Sequence, residues 1–402
     1  MDMLIGGKRA SGTRIIDVVD PAKNEVVDTV PFASEEDLEL ALSSSLEGYR
    51  EWSSMTILER NRILHHYAAL VEDHRAELRM LLCRENGKNI KNTDMEFDAV
   101  NALFTGYAEQ AAHLYGNTMP NGNQLTSPAE DLVFTRWESI GVVVCLIPFN
   151  FPVDLYAEKV APALAAGNAV IIKPPTDCPL TIMRLVELLH EAGVPPKAAQ
   201  VVTGRGGAIG DRLISDPRIA AVSLTGSNEV GVDAYRKAAE NLTRVFLELG
   251  GNDAFVVLED ADIDLAVSEA IYGRMGNCGQ TCCASKRFIV QSSIEKEFTE
   301  KLIAALRQVR IGDPIDPEMD EGCMINESAA ERVQRQVEHT VAQGAVCALG
   351  GKVYDRVYFQ PTVLTCVTKE MDIATDLEIF GPVFPVIAFD QQEEALEIAN
   401  QS

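Results

Sequence analysis

The sequence predicts an α/β protein built on two open, mostly parallel sheets, and two observations carry that expectation. From residue 140 onward, short apolar runs of strand length alternate with amphipathic runs of helix length, the βαβ rhythm of a parallel sheet covered by helices. The rhythm breaks at Gly250-Gly251 and then resumes, so a second α/β unit follows the first. A chain of 402 residues is long enough for two or three domains and a large core.

The elements follow in order. Ser34-Glu35-Glu36-Asp37 and Thr56-Ile57-Leu58-Glu59 have the spacing of capping boxes, in which a hydroxyl and a carboxylate satisfy free helix N–H groups reciprocally. The second opens a long helix with Ile63, Leu64, Tyr67, Leu70 and Val71 on one side. Residues 117–128 turn polar and rich in Gly, Pro and Asn. Strands are expected at 132–136 and 140–147, the second continuously apolar and therefore buried. Strands at 169–172, 200–203, 221–225 and 244–248 then alternate with helices at 180–192, 209–215 and 230–241. In the second unit, a strand at 254–258 precedes a helix capped by Asp262 and running through Arg274. A strand at 287–290 and a helix around 297–310 come next.

Composition removes several functional classes. Hydrophobic residues make up 47%, charged residues 24% and aromatics 6%, an ordinary globular balance. A formal net charge of -25 opposes binding to nucleic acid or an anionic membrane surface. The longest apolar stretch, residues 140–148, is too short to span a bilayer, and the first residues lack the pattern of a secretory signal. Nine cysteines, an odd number without scaffold spacing, imply reduced thiols and a cytoplasmic location. The six histidines form no HExxH or Cys-His pattern, so no zinc site is expected.

Three contexts carry candidate chemistry. Cys282 lies in Asn277-Cys278-Gly279-Gln280-Thr281-Cys282-Cys283-Ala284, Glu248 in Glu248-Leu249-Gly250-Gly251-Asn252, and Asn150 in Pro148-Phe149-Asn150-Phe151-Pro152. A thiol, a carboxylate and an amide can serve as nucleophile, base and oxyanion donor in covalent catalysis on a carbonyl. Each has a plainer reading. Free cysteines are commonly inert and buried, a strand-end carboxylate can simply be solvated, and an asparagine between prolines can satisfy a turn. Two further segments suit a nucleotide. Thr225-Gly226-Ser227-Asn228 joins a strand to a helix, where glycine admits a phosphate to the helix N-terminus, although such a turn is often only a turn. Lys173-Pro174-Pro175-Thr176 follows a buried strand, where ligands sit in open parallel sheets, or else Lys173 is merely solvated. No GxGxxG opens the domain.

Together with Glu378-Ile379-Phe380-Gly381-Pro382, these six ordered segments resemble the NAD(P)-dependent aldehyde dehydrogenase superfamily, from near residue 10 to the last residue. The resemblance implies a Rossmann-like cofactor domain from 1–115 and 141–249, a bridging β-hairpin at 116–140 used in oligomerisation, and a catalytic domain from 250–402. It implies that Cys282 attacks the aldehyde, that Asn150 stabilises the oxyanion, and that Glu248 activates water against the thioester. For the cofactor it implies Lys173 and Thr176 at the adenosine ribose, Gly226 and Ser227 at the pyrophosphate, and Glu378 with Phe380 at the nicotinamide ribose. Thr176 stands where NAD-preferring relatives often carry glutamate, so NADP is expected to be accepted alongside NAD and to be preferred.

Phe151, Leu155, Glu158 and Cys283 match positions lining the family's aldehyde tunnel. Glu158 stands where relatives acting on dicarboxylic semialdehydes can carry arginine. A neutral, hydroxylated or aromatic aldehyde is therefore expected, unless Glu158 turns away or pairs with a base such as Lys159. A homodimer or homotetramer is implied. Family members usually continue several tens of residues beyond Ser402, which makes the catalytic domain C-terminally short and leaves a sheet edge open. Two other readings remain: a CoA-acylating dehydrogenase, which Glu248 disfavours, and a non-catalytic protein retaining the fold.

Overall fold

The computed structural model describes residues 1–12, 14–120 and 131–402. Seven strands form the first sheet, in the order Arg244–Glu248, Ile219–Thr225, Val142–Leu146, Ala169–Lys173, Ala199–Val201, Met3–Ile5, Lys8–Ala10. The first five run parallel, and the N-terminal hairpin is added antiparallel to Ala199–Val201. Five strands form the second sheet, in the order Ala254–Val257, Arg287–Gln291, Val383–Phe389, Thr362–Val367, Val346–Leu349, with only the last pairing antiparallel. The predicted α/β class with two mostly parallel sheets is what the fold shows.

Burial explains the strand patterns. Val142–Leu146 and Ala169–Lys173 lie inside the sheet and are buried throughout, hence their unbroken apolar sequence. Arg244–Glu248 lies at the sheet edge and alternates between exposed and half-buried residues. Both capping boxes form: Ser34 with Asp37 at the head of Glu35–Ser54, and Thr56 with Glu59 at the head of Ile57–Asp73. Asp262 caps Ile263–Met275 as expected.

Other elements differ from expectation. The helix expected around 297–310 occupies Ser292–Leu306, because the strand passes directly into a polar first turn without apolar periodicity. The strand expected at 132–136 shrinks to Val133–Phe134, paired with Thr118–Met119 as an exposed two-residue ladder. The rest of the bridging segment, residues 121–130, lies outside the described residues. The first three dozen residues hold two short hairpins that carried no clear period in the sequence.

Two buried carboxylates orient helices behind the site. Glu96 accepts hydrogen bonds from the Val153 and Asp154 N–H groups at 2.9 and 3.2 Å, at the head of helix Pro152–Ala165. Glu85 does the same for Leu180 and Thr181, at 2.6 and 2.8 Å, at the head of helix Leu180–Ala192. Neither helix has a side-chain cap of its own, so these distant carboxyl groups supply the acceptors that the free N–H groups lack, and burial raises the Glu85 pKa to about 7. Among the described residues, no helix is long and apolar enough to cross a membrane.

Candidate active site

The chain order of the parallel strands creates the site. Leu146 pairs with Lys173 and with Leu224, and Thr225 pairs with Glu248, so four strands end together. The segments that leave those ends carry Asn150, Lys173, Thr176, Ser227 and Glu248. The second sheet presents the opposite polarity. The Cys282 loop enters the strand Arg287–Gln291, and Glu378–Pro382 enters the neighbouring strand Val383–Phe389. Strand C-termini of one sheet therefore face strand N-termini of the other. A cavity of about 1650 Å³ lies there, and its wall includes Asn150, Lys173, Thr176, Gly226, Ser227, Cys282, Glu378 and Phe380.

The Cys282 loop is strained and heavily pinned. Asn277, Cys278 and Gly279 take positive φ values of 54°, 55° and 73° in succession. For the two non-glycine residues this costs of the order of 1–3 kcal/mol each. The surroundings hold them there. Asn277 Nδ2 donates to the Asn150 carbonyl at 2.8 Å, which ties the thiol loop to the amide loop. The Cys278 N–H donates to the buried Glu321 carboxylate at 3.2 Å, and Gln280 Oε1 accepts from the Ile325 N–H at 3.1 Å. Gly279 is needed where it lies, since a Cβ there would meet the Gly381 backbone at 2.4 Å.

Cys282 is half-buried and Asn150 is buried. Burial raises the Cys282 thiol pKa, with Cys283 adding to the rise, while the Lys286 ammonium opposes it. The Asn150 loop is fixed from behind as well, because Asn86 Nδ2 donates to the Phe149 carbonyl at 2.6 Å. Glu248 is exposed at the end of its edge strand, next to the wall residues Leu249 and Gly250. Its carbonyl accepts from the Gly226 N–H at 3.1 Å, which joins the base candidate to the phosphate-turn candidate.

On the nucleotide side, Lys173 is buried, and burial lowers its ammonium pKa to about 8 against the pull of Asp177. Thr176 Oγ1 donates to the Gly204 carbonyl at 3.2 Å, which leaves its oxygen lone pairs free for another donor. Ser227 caps the helix Asn228–Ala239 by accepting from the Val230 N–H, so the turn leads straight into a helix N-terminus. Glu378 packs against Gly250 so closely that a Cβ on Gly250 would stand 2.1 Å from Glu378 Oε2. The Phe380 ring meets the Phe149 ring edge-on, 6.1 Å between centroids.

The family profile of the aldehyde dehydrogenases matches residues 8–402. The chain is 35% identical over 403 residues to mitochondrial succinate-semialdehyde dehydrogenase of Arabidopsis thaliana, covering 99% of this chain and 75% of that protein. It is 33% identical over 395 residues to the NADP(+) succinate-semialdehyde dehydrogenase of Escherichia coli K12, covering 98% and 81%. The chain belongs to the aldehyde dehydrogenase family. A crystal structure of betaine aldehyde dehydrogenase from Staphylococcus aureus in complex with NAD+ superposes with a TM-score of 0.95 at 31% identity, covering 100% of this chain and 80% of that one.

Aldehyde dehydrogenases of this kind oxidise an aldehyde to an acid with NAD or NADP, and the site offers features that fit such a cofactor. Glu378 Oε1 is buried, in a side chain on the cavity wall, and the Lys286 ammonium 3.1 Å away pairs with it without the geometry of a hydrogen bond. A ribose hydroxyl is a donor from which it can still accept a well-aligned hydrogen bond. Ser227 and Lys173 add a helix N-terminus and a buried cation, both suited to the anionic part of a dinucleotide.

The four positions assigned to the aldehyde tunnel are not on the wall of the large cavity. Phe151 and Leu155 lie at and inside the start of helix Pro152–Ala165, while Glu158 and Cys283 are exposed. Sequence reasoning missed three other residues. Lys159 is buried and donates to Thr225 Oγ1 at 2.6 Å, with Glu248 among the carboxylates acting on its charge. Lys286 pairs with Glu378 at 3.1 Å, and Gly250 makes room for that carboxylate. Buried lysines flanking two motifs were the available signal, but their partners lie far away in sequence.

Proposed function

We propose that Cys282 is the nucleophile of this aldehyde dehydrogenase, with Asn150 as the oxyanion donor and Glu248 as the base. The observation that carries this reading is the joint placement of Cys282 and Asn150 on one cavity wall, tied by the Asn277–Asn150 hydrogen bond. The Cys282 thiolate adds to the aldehyde carbonyl, and the Asn150 side chain donates to the oxygen that gains charge. NAD or NADP, held by Lys173, Thr176, Gly226, Ser227, Glu378 and Phe380, supplies the hydride acceptor when bound. Departure of the hydride leaves a thioester on Cys282. Glu248 then takes a proton from water, whose oxygen attacks the thioester and releases the carboxylic acid and the thiol.

Thr176 supports acceptance of NADP. It is a neutral hydroxyl that does not repel a 2′-phosphate, where a carboxylate would. The helix behind Asn150 supports a neutral aldehyde. Asp154 has its pKa raised to about 6 by burial first, then by Glu158 and Glu96, so this helix concentrates negative charge. Two cations act on Asp154: Lys88 is buried, is committed to Glu96 and lies 3.7 Å from the Phe151 ring centre, and Lys159 is buried and donates to Thr225 Oγ1. A substrate carboxylate approaching this helix would meet that negative charge, with both lysines already engaged. Reduced, free cysteines throughout suit a cytoplasmic enzyme.

The test is reduced-cofactor formation with NAD and NADP across neutral, hydroxylated, aromatic and carboxylated aldehydes. Cys282→Ala is expected to abolish turnover. Asn150→Ala is expected to lower kcat about 100- to 1000-fold. Glu248→Gln is expected to retain a burst of reduced cofactor followed by slow turnover, because hydrolysis alone loses its base. Turnover surviving in Cys282→Ala would overturn the assignment.

A further inference from the structure

Lys286 stands four residues beyond the nucleophile, and its side chain is only 1% exposed. A buried ammonium is unstable without partners, so the groups that satisfy it show what it is for. Its Nζ donates to the main-chain carbonyl of Cys282. The same Nζ lies 3.1 Å from Glu378 Oε1, on the carboxylate assigned to the nicotinamide ribose. Its backbone N–H donates to the Asp253 carbonyl at 3.0 Å, in the segment that follows Gly250-Gly251-Asn252. One residue thus touches the thiol loop, the ribose carboxylate and Asp253, just beyond the glycine turn that makes room for that carboxylate.

We propose that Lys286 is a positioning residue that couples Cys282 to the cofactor site, holding the Cys282 carbonyl and the Glu378 carboxylate on one buried charge. The proposal rests on the assignment of Cys282 as nucleophile and Glu378 as cofactor ligand. The hydrogen bond to the Cys282 carbonyl fixes the peptide from which the thiol projects. The ion pair, 3.1 Å at Glu378 Oε1, fixes the carboxylate without the geometry of a hydrogen bond, so that oxygen can still accept one from a ligand. The pair also sets the field at the thiol. The ionisable groups acting on Cys282 are Cys283 and Lys286, and behind Lys286 stand Glu378 and the buried Arg274, whose charge acts on Glu378. Arg274 is held by the Val383 and Ile379 carbonyls at 2.8 and 2.6 Å, so it is not free to replace Lys286.

This arrangement makes predictions of opposite sign. Removing the ammonium while keeping the volume, as in Lys286→Met, withdraws positive charge from the thiol and disfavours thiolate. Neutralising the carboxylate, as in Glu378→Gln, leaves the ammonium uncompensated and favours thiolate. The experiment measures the rate of Cys282 alkylation by iodoacetamide against pH, on the intact chain without cofactor, with peptide fragmentation separating Cys282 from Cys283. In Lys286→Met the midpoint is expected to rise by about one pH unit, which slows alkylation about tenfold at neutral pH. In Glu378→Gln it is expected to fall, and Lys286→Arg is expected to stay within a few-fold of the parent. If Lys286→Met lacks a cooperative thermal transition, the direction of the Glu378→Gln shift decides alone. Profiles that do not move, or that move in the same direction in both variants, would overturn the proposal. Such a result is distinct from failure of the nucleophile assignment, which turnover in Cys282→Ala would reveal.

Discussion

Lys173 carries a pH dependence that can be worked out from its burial. Its ammonium sits at the end of a buried strand, and desolvation lowers its pKa to about 8. Near pH 8, about half of the ligand-free molecules hold it neutral. Contact with ribose hydroxyls or an anionic phosphate favours the charged form and raises the pKa in the complex. The complex therefore holds more protons than the free protein, and cofactor affinity falls as pH rises from 7 through 8 toward 10. Calorimetric titration with NADP at pH 8, in buffers of different ionisation enthalpy, is expected to show uptake of up to about half a proton. Lys173→Gln is expected to lose that uptake, and a buffer-independent heat in the parent would count against the assignment. Lys173 was legible in the sequence because a lysine directly after a continuously apolar run marks a strand end. Lys286 was not, because a lysine among polar residues looks solvated until the strand pairing of Arg287–Gln291 with Val383–Phe389 brings Glu378 beside it.

Two glycines separate the roles of the loops between elements. At Gly250 an added Cβ collides with the tip of the Glu378 side chain, a flexible group that can swing away. Gly250→Ala is thus expected to fold, with a melting temperature lowered by loss of the Lys286–Glu378 pair, while displacing the carboxylate from its place on the cavity wall. Fluorescence titration is expected to show at least about tenfold weaker cofactor binding, equivalent to loss of one charge-assisted hydrogen bond. At Gly279 the added Cβ meets the Gly381 backbone, and φ is already left-handed. Gly279→Ala is expected to lose stability, on the order of 2 kcal/mol or more, before any question of binding arises. Unchanged affinity in the first variant, or an unchanged denaturation midpoint in the second, would contradict this division. The alternating elements from residue 140 to 291 were readable because buried parallel strands and amphipathic helices differ in period. The N-terminal hairpins were not, because strands such as Met3–Ile5 and Lys8–Ala10 are too short to show one. The glycine contacts depend on pairs of segments far apart in the chain, which local pattern does not reveal.

At the scale of the molecule, several large apolar side chains stand exposed around the edge strand Arg244–Glu248. Phe246, on the edge strand Arg244–Glu248, is 59% exposed, and the adjoining helix Asn228–Ala239 exposes Val230, Val232 and Tyr235. Leu242, between the two, is 90% exposed. Exposed apolar side chains beside an unpaired strand edge make a surface that folded proteins generally cover. The homodimer or homotetramer that the family resemblance implies would cover it with a second copy of the chain. Charge opposes that association: two copies each carrying -25 repel at long range. At 0.15 M salt the screening length is about 8 Å, so the repulsion weakens while the apolar gain does not. Sedimentation velocity is therefore expected to show dimers or larger at physiological salt, with a dissociation constant that rises as salt is lowered. Phe246→Lys and Tyr235→Asp place charge in the contact and are expected to shift the boundary toward monomer without lowering the melting transition of the monomer itself. A parent that stays monomeric at tens of micromolar, or variants that sediment like the parent, would show that this face is left open. The edge strand ends at Glu248, so occupation of this face also bears on the site: a neighbour that rigidifies Arg244–Glu248 steadies the proposed base, and the two variants are expected to slow thioester hydrolysis more than thioester formation.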